Sequence, residues 1–328
     1  MIALTKIGPG PGAVGLTERE PRPLEPGHVR LQVHATGVCG TDLHVVSDEY
    51  STEPPVTMGH EISGTVLEIG EGVDASWVGQ RVACETYYST CERCPQCRDG
   101  RRNLCRERRS LGSFEDGGFA RTVVVPGQNL HRIPDTVTSL DAVLLEPLAC
   151  VAQCLLDPAR VSPGDSVLVV GPGTMGLLSA QVALAAGATV TCAGLASDVV
   201  RLGRAEKLGA AVTTDPVVEG FDVVVECSGA AGGIATAFRS VRRGGTYVQV
   251  GIHGERVAVD FDTVLYKELA VSSGFASTPA SWRRAIALVG SGAVDLTGMV
   301  THALPLEQWE EAFAIVGSPE AVKVALQP

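Results

Sequence analysis

The chain is poor in aromatic residues, has no excess of positive charge and contains no long apolar run. Aromatic side chains make up 5% of its 328 residues, too few for a surface that stacks bases on interleaved rings. Lysine and arginine number 26 against 37 aspartates and glutamates, a formal net charge of -11. Neither nucleic acid nor an anionic membrane is therefore an expected partner. The most apolar stretch, LLSAQVALAAG, is too short to span a bilayer. The opening segment, MIALTKIGPGPGAVG, has no apolar core with a cleavage site, so a cytoplasmic protein is expected. One basic run, Arg98, Arg101, Arg102, Arg106, Arg108 and Arg109, departs from the acidic background. Without aromatic neighbours it reads as a solvated lobe rather than a phosphate-binding patch.

The composition is 45% hydrophobic, with 38 glycines and 19 prolines, the profile of a turn-rich globular α/β chain of about two domains. Residues 1–145 read as mostly β: HVRLQVHATG, EISGTVLEIG, QRVACETYY and ARTVVVP alternate and are bounded by turn residues. Around LLEPLACVAQCLL the period becomes helical. Strands and helices then alternate through DSVLVVGPGTMGLLSAQVALAAGATVTCAG, FDVVVECSG, GGIATAFRSVRRGG and GGTYVQVG, which predicts βαβ units on a parallel sheet. SWRRAIALVGSG reads as an amphipathic helix, and VKVALQP closes the chain as a strand.

There are ten cysteines. In a reducing compartment they favour metal binding or catalysis over disulfides. Cys91, Cys94, Cys97 and Cys105 form C-x2-C-x2-C-x7-C. Four thiolates so closely spaced can wrap one tetrahedral zinc ion, although iron–sulfur clusters use similar spacing. A second donor set is dispersed: Cys39 in GVCGTDLH, His60 and Glu61 in MGHEISG, and Glu146 in LLEPLAC. Singly, each has a plain structural reading, such as a small buried hydrophobe or a helix-starting carboxylate. Together they supply the thiolate, imidazole and carboxylate of a catalytic zinc with one open position, but spacing alone does not bring them together.

Gly171, Gly173 and Gly176 in VLVVGPGTMG form G-x-G-x-x-G between a buried strand and an apolar helix, the context that makes the motif a dinucleotide turn. Thr174 and Met175 begin that helix, whose amides face the pyrophosphate. The acid expected at the tip of the next strand to hold the ribose of NAD is missing. Gly194 stands there, with Asp198 a few residues on and Arg201 and Arg204 beyond, a pattern that leans towards NADP.

With these motifs in this order, the chain resembles the zinc-containing medium-chain alcohol dehydrogenases, in the polyol (sorbitol-like) and threonine dehydrogenase branch. The resemblance rests on GVCGTDLH, MGHEISGTV, CERCPQCRDGRRNLC, LLEPLACV, VLVVGPGTMG and VKVALQP and covers nearly the whole chain. It implies an α/β architecture: a GroES-like β-barrel catalytic domain from 1–147 and 276–328, and a Rossmann doubly wound parallel-sheet domain from 148–275. It implies two zinc ions, a structural one on the four cysteines and a catalytic one surrounded by Cys39, His60 and Glu146, with Glu61 beside it as ligand or neighbour. It places a proton relay at Thr41 and His44, a carboxylate orienting the imidazole at Asp42, and a coenzyme-pyrophosphate contact at Lys323. The implied reaction moves a hydride between a secondary alcohol of polyol, sugar or cyclitol type and NAD(P). The alternatives are a threonine-type amino alcohol substrate and a catalytically silent zinc and dinucleotide binder. A homo-oligomer, tetramer or dimer, is the expected assembly, with Rossmann sheets pairing through YVQVG or the segment after it.

Overall fold

The computed structural model describes residues 1–254 and 256–328. The chain forms two compact units, one of Met1–Glu146, Leu296–Ser318 and Lys323–Pro328, the other of Pro147–Asp295 and Pro319–Val322.

The first unit is built around the strand His28–Val38. Its inward residues Val29, Leu31 and Val33 meet Ile62, Val66, Val82, Val123 and Val125 in one buried cluster, where β-branched side chains suit a pleated, packed surface. Antiparallel to it run Glu61–Ile69, Thr122–Pro126 and Lys323–Gln327. The registers matter for chemistry. Gly37 faces Glu61 and Val38 faces Val324, so the end of the first strand delivers Cys39 beside Glu61 and Lys323. A separate two-stranded pair, Tyr87–Ser89 with Arg109–Ser110, closes off the cysteine-rich insert.

The second unit is a six-stranded parallel sheet in the order Ala211–Thr213, Thr189–Ala193, Ser166–Val170, Phe221–Glu226, Val241–Gln249, Ala270–Ser273. Its central strands, SVLVV and FDVVVE, are buried along nearly their whole length, as strands covered by helices on both faces must be. The helix Thr174–Ala185 is buried continuously from Gly176 to Val182 and Ala183, which accounts for its lack of a polar face. The chain order reverses beside Ser166–Val170, the place in such sheets where dinucleotides bind at the carboxyl ends of the strands.

The second unit ends at Asp295, later than the 275 read from the sequence. The amphipathic helix Pro279–Gly290 is tied into it: Thr278 Oγ1 donates to Gln153 Oε1 (3.0 Å) and the Asp295 amide to Gln181 Oε1 (2.7 Å). Pro319–Val322 also belongs to this unit through the Arg201 bond to the Ala321 carbonyl. Such polar side-chain bonds leave no periodic trace in a sequence.

Asp222 ties three strands together. It accepts from the Ser166 amide (2.8 Å) and hydroxyl (2.7 Å) and from Arg242 Nε (2.7 Å). The Ser166 amide and then Arg242 hold its carboxyl down at about 2. A carboxyl whose folded pKa is depressed stabilises the fold above its unfolded pKa and loses that contribution as pH falls through the folded one. Asp222→Ala is expected to lower unfolding stability by about 1 kcal/mol at pH 6. In denaturant titrations the gap to wild type should close between about pH 4 and pH 2, as both states become protonated there. A gap unchanged at pH 2 would contradict this role.

Candidate metal and dinucleotide sites

Cys39 precedes the short helix Gly40–Val46. Its amide donates to Asp42 Oδ2 (2.8 Å), which fixes the turn that presents its sulfur. Thr41 Oγ1 lies 3.6 Å from that sulfur. The other oxygen of the buried Asp42 carboxylate is 3.8 Å from His60 Nδ1. Donor atoms of Cys39, His60 and Glu61 all lie within 4.8 Å of one another. Glu146 is not one of that group. Its Oε1 accepts from Thr86 Oγ1 (2.8 Å), while its charge still acts on His60. Glu61 and Lys323 are buried together, at 1% and 4% exposure, with Lys323 Nζ donating to Glu61 Oε1 (2.6 Å). Any side chain at Gly37 would collide with the Glu61 carboxylate and Lys323, so the glycine makes room for this pair.

The electrostatics are those of a concentrated negative site. Burial works against a charged imidazole, yet the Cys39 sulfur and the Asp42 and Glu146 carboxylates hold the His60 pKa well above its ordinary value. Burial raises the Asp42 carboxyl, and His60 pulls it back. Burial likewise opposes the Lys323 charge, but Glu61 and Cys39 outweigh it and raise the ammonium pKa.

In the insert, the sulfurs of Cys91, Cys94, Cys97 and Cys105 also lie within 4.8 Å of one another. Backbone amides aim at them: Cys94 N–H at Cys91 (3.3 Å), Cys97 N–H at Cys94 (3.4 Å) and Cys91 N–H at Cys105 (3.4 Å). The amides of Arg93 and Cys94 lower the Cys91 thiol to about 7, whereas burial pushes Cys97 up to about 12.

Both donor sets fit zinc. Tetrahedral zinc with thiolate bonds of about 2.3 Å requires sulfurs about 3.8 Å apart, and Cys91 and Cys97 are separated by 3.9 Å. A tetrahedron of mixed sulfur, nitrogen and oxygen has edges of about 3.3–3.8 Å, inside the span of the Cys39, His60 and Glu61 donors. Three donors leave a position for a further ligand, the arrangement of a catalytic rather than a structural ion.

In the second unit, Gly171 takes φ +94°, and a Cβ there would meet Ser228 at 2.7 Å. A Cβ at Gly176 would run into the Gly171 carbonyl, so helix and turn pack backbone to backbone. Gly173 is open, with nothing within 4 Å of a built Cβ, which leaves room for a phosphate. No side chain caps the helix, so its first amides remain available. Met175 lies in that first turn, and Thr174 Oγ1 donates to the Val322 carbonyl (2.5 Å).

At the tip of the strand Thr189–Ala193, a Cβ on Gly194 would press on Pro172 (2.9 Å) and Leu202 (3.1 Å). Asp198 folds back and accepts from the Leu195 amide (2.8 Å). Arg201 donates through Nε to the Ala321 carbonyl (2.7 Å), and its Nη1 lies 3.5 Å from Asp198. These bonds tie Arg201 to Asp198 and to the segment Pro319–Val322.

Three contacts were not legible in the sequence: Lys323 on Glu61, Glu49 on His44, and the buried Lys6 on Asp48, 3.0 Å away. Each joins segments whose proximity is set by strand pairing or by a loop conformation.

Residues 25–135 match the family described as the alcohol dehydrogenase GroES-like domain, and residues 174–291 match the zinc-binding dehydrogenase family. The chain is 38% identical to a sorbitol dehydrogenase of Halalkalibacterium halodurans, over 100% of this chain and 99% of that one. It is 34% identical to an L-threonine 3-dehydrogenase of Coxiella burnetii, over 99% of each. Among solved structures it resembles a zinc-binding dehydrogenase from Sinorhizobium meliloti bound to NADP, with TM-score 0.89, 32% identity and coverage of 100% and 99%. The chain belongs to the zinc-containing medium-chain alcohol dehydrogenase family, with the GroES-like and Rossmann folds of that family. Within it, the chain falls in the polyol and threonine dehydrogenase branch and is a zinc-dependent, NAD(P)-linked alcohol dehydrogenase.

Cys97→Ser removes one corner of the four-sulfur group. It is expected to lower bound zinc and the melting temperature together. Unchanged metal content by atomic emission, with an unchanged melting temperature, would contradict a metal at this group.

Proposed function

We propose that the chain oxidises secondary alcohols of polyol, sugar or cyclitol type, using two zinc ions per chain and preferring NADP. The observation that carries this reading is the convergence of Cys39, His60 and Glu61 in a chain that also holds a complete glycine turn. In this reading Cys39 and His60 hold the catalytic metal. Glu146 faces it from beside Thr86, and Glu61 alternates between the metal and Lys323. The four cysteines hold the structural ion. When bound, zinc supplies Lewis-acid polarisation of the substrate hydroxyl, and the nicotinamide accepts the hydride. Thr41, set beside Cys39, takes the hydroxyl proton, and His44, at the solvent side of its helix, receives it and releases it to water. Asp42 orients the His60 ring. Gly171, Gly173 and Gly176, with the Thr174 and Met175 amides, seat the pyrophosphate.

The sorbitol dehydrogenase relative supports a polyol substrate. A second reading, a threonine-type amino alcohol, is favoured by the L-threonine 3-dehydrogenase relative. The NADP preference is supported by Gly194, where no carboxylate would repel a 2′-phosphate, and by the NADP-bound relative. Arg201 and Arg204 are the nearby cations of this reading, Arg201 being anchored through Nε on the Ala321 carbonyl.

We also read the chain as a cytoplasmic homo-oligomer, a tetramer or dimer. Among the described residues no helix is long and apolar enough to cross a membrane. The YVQ of YVQVG belongs to the strand Val241–Gln249 inside the sheet, and a later strand, Ala270–Ser273, forms one of its two edges. That edge carries the exposed Val271, and exposed Phe261, Leu265 and Tyr266 precede it. An open strand edge with apolar cover favours pairing with a second copy.

The test is coenzyme reduction over a panel of polyols, sugars, cyclitols and threonine, with Cys39→Ala and His60→Ala as controls. Polyol turnover that falls at least about 10³-fold in both variants is expected, since the loss of a metal ligand removes the Lewis acid. Retained turnover in either variant would sink the metal assignment, and threonine as the best substrate would select the second reading. Separately, kcat/KM with NADP should exceed that with NAD; the reverse order would remove the argument from Gly194.

A further inference from the structure

His44 sits in the last turn of the helix Gly40–Val46, and the chain folds back over it. Glu49 Oε2 lies 2.7 Å from His44 Nδ1. The Glu49 amide donates to the His44 carbonyl (2.8 Å), and the Tyr50 amide donates to it as well (3.3 Å). This return is built into the backbone. Asp48 takes φ +62°, a left-handed conformation uncommon outside glycine. Its carboxylate is held by Lys6 Nζ (3.0 Å) and by the Gly10 amide (2.9 Å). The Lys6 side chain is fully buried and also donates to the Gly10 carbonyl (2.7 Å). A buried lysine is tolerated only when its charge and donors are matched, so Lys6 anchors Asp48, the residue before Glu49, in the loop. Further along the loop, Arg109 grips Glu53 with both terminal nitrogens (3.1 and 2.7 Å).

We propose that Glu49 is a positioning residue for His44: its carboxylate accepts the Nδ1 proton and so keeps the lone pair of the neutral ring on Nε2. This rests on the reading of His44 as the solvent-side proton acceptor. The proton lost by the substrate hydroxyl then adds to Nε2, and water later removes that same proton from Nε2, while Nδ1 keeps its own proton on Glu49. The logic is that of a carboxylate setting the tautomer of a histidine base.

The experiment uses zinc-loaded full-length wild type, Glu49→Ala, His44→Gln and the double variant. The first readout is nitrogen-15 NMR of the His44 ring in wild type and Glu49→Ala. The second is the single-turnover rate of coenzyme reduction, with KM for the alcohol. In wild type the neutral ring should carry its proton on Nδ1, and Glu49→Ala should shift it towards Nε2. The rate should fall about tenfold in Glu49→Ala with KM within about twofold, and the double variant should be no slower than His44→Gln. An unchanged tautomer in Glu49→Ala overturns the inference, as does a double variant slower by the product of both losses. A rate that depends on His44 but is indifferent to Glu49→Ala overturns the inference alone. Full rate in His44→Gln overturns the relay reading and the catalytic meaning of Glu49 with it. Melting temperatures within a few degrees of wild type show that the variants fold.

Discussion

The first unit depends on a buried ion pair. Lys323 and Glu61 lie at the junction of three strands, 2.6 Å apart and almost wholly inside the protein. Removing either charge from water costs several kcal/mol, recovered only if the partner stays in place with good geometry. That demand pins the registers of His28–Val38, Glu61–Ile69 and Lys323–Gln327 to one another, because a slip of one residue would turn Glu61 or Lys323 to the opposite face. Gly37 is the steric condition for the pair. Once those registers are set, Cys39 and His60, at the ends of two of these strands, have their positions relative to Glu61 decided. The metal donors are thus arranged by the sheet rather than by a dedicated loop.

The two donor groups are organised differently. Cys91, Cys94, Cys97 and Cys105 lie within fifteen residues of sequence, and their thiols are aimed by local amides. This group was fully legible in the sequence, because local spacing encodes local geometry. The Cys39, His60 and Glu61 group was legible in composition but not in arrangement. Glu146 looked equivalent to the others on residue type alone, yet it accepts from Thr86 and is not in the group whose donors lie within 4.8 Å of one another. Lys323, assigned from resemblance to a phosphate, lies on Glu61 because strand pairing across 262 residues of sequence separation puts it there. No pattern within one segment contains that information.

In the second unit the glycine turn was legible for a plain reason. Gly171 and Gly176 fill conformations or distances that a side chain forbids, and such steric requirements show directly as residue type. The boundary at Asp295 was not legible, because the helix Pro279–Gly290 has the same amphipathic pattern whichever unit it packs against. Gly194 shows both sides of this. Its missing carboxylate is a sequence fact with chemical meaning, but its contact with Pro172 and Leu202 explains the glycine sterically as well. Arg201, the first arginine after the missing acid, donates to the Ala321 carbonyl and lies 3.5 Å from Asp198, contacts that residue type alone does not reveal.

The central claim is that a metal ion sits among Cys39, His60 and Glu61, separate from the one in the four-cysteine insert. Anomalous diffraction collected on both sides of the zinc absorption edge, from crystals grown without chelator, measures this directly. The account predicts two peaks, one bonded to four sulfurs at about 2.3 Å and one bonded to Cys39 Sγ at about 2.3 Å and to His60 at about 2.0–2.1 Å. A single peak confined to the four cysteines, with the Cys39 and His60 side chains well ordered, would contradict it.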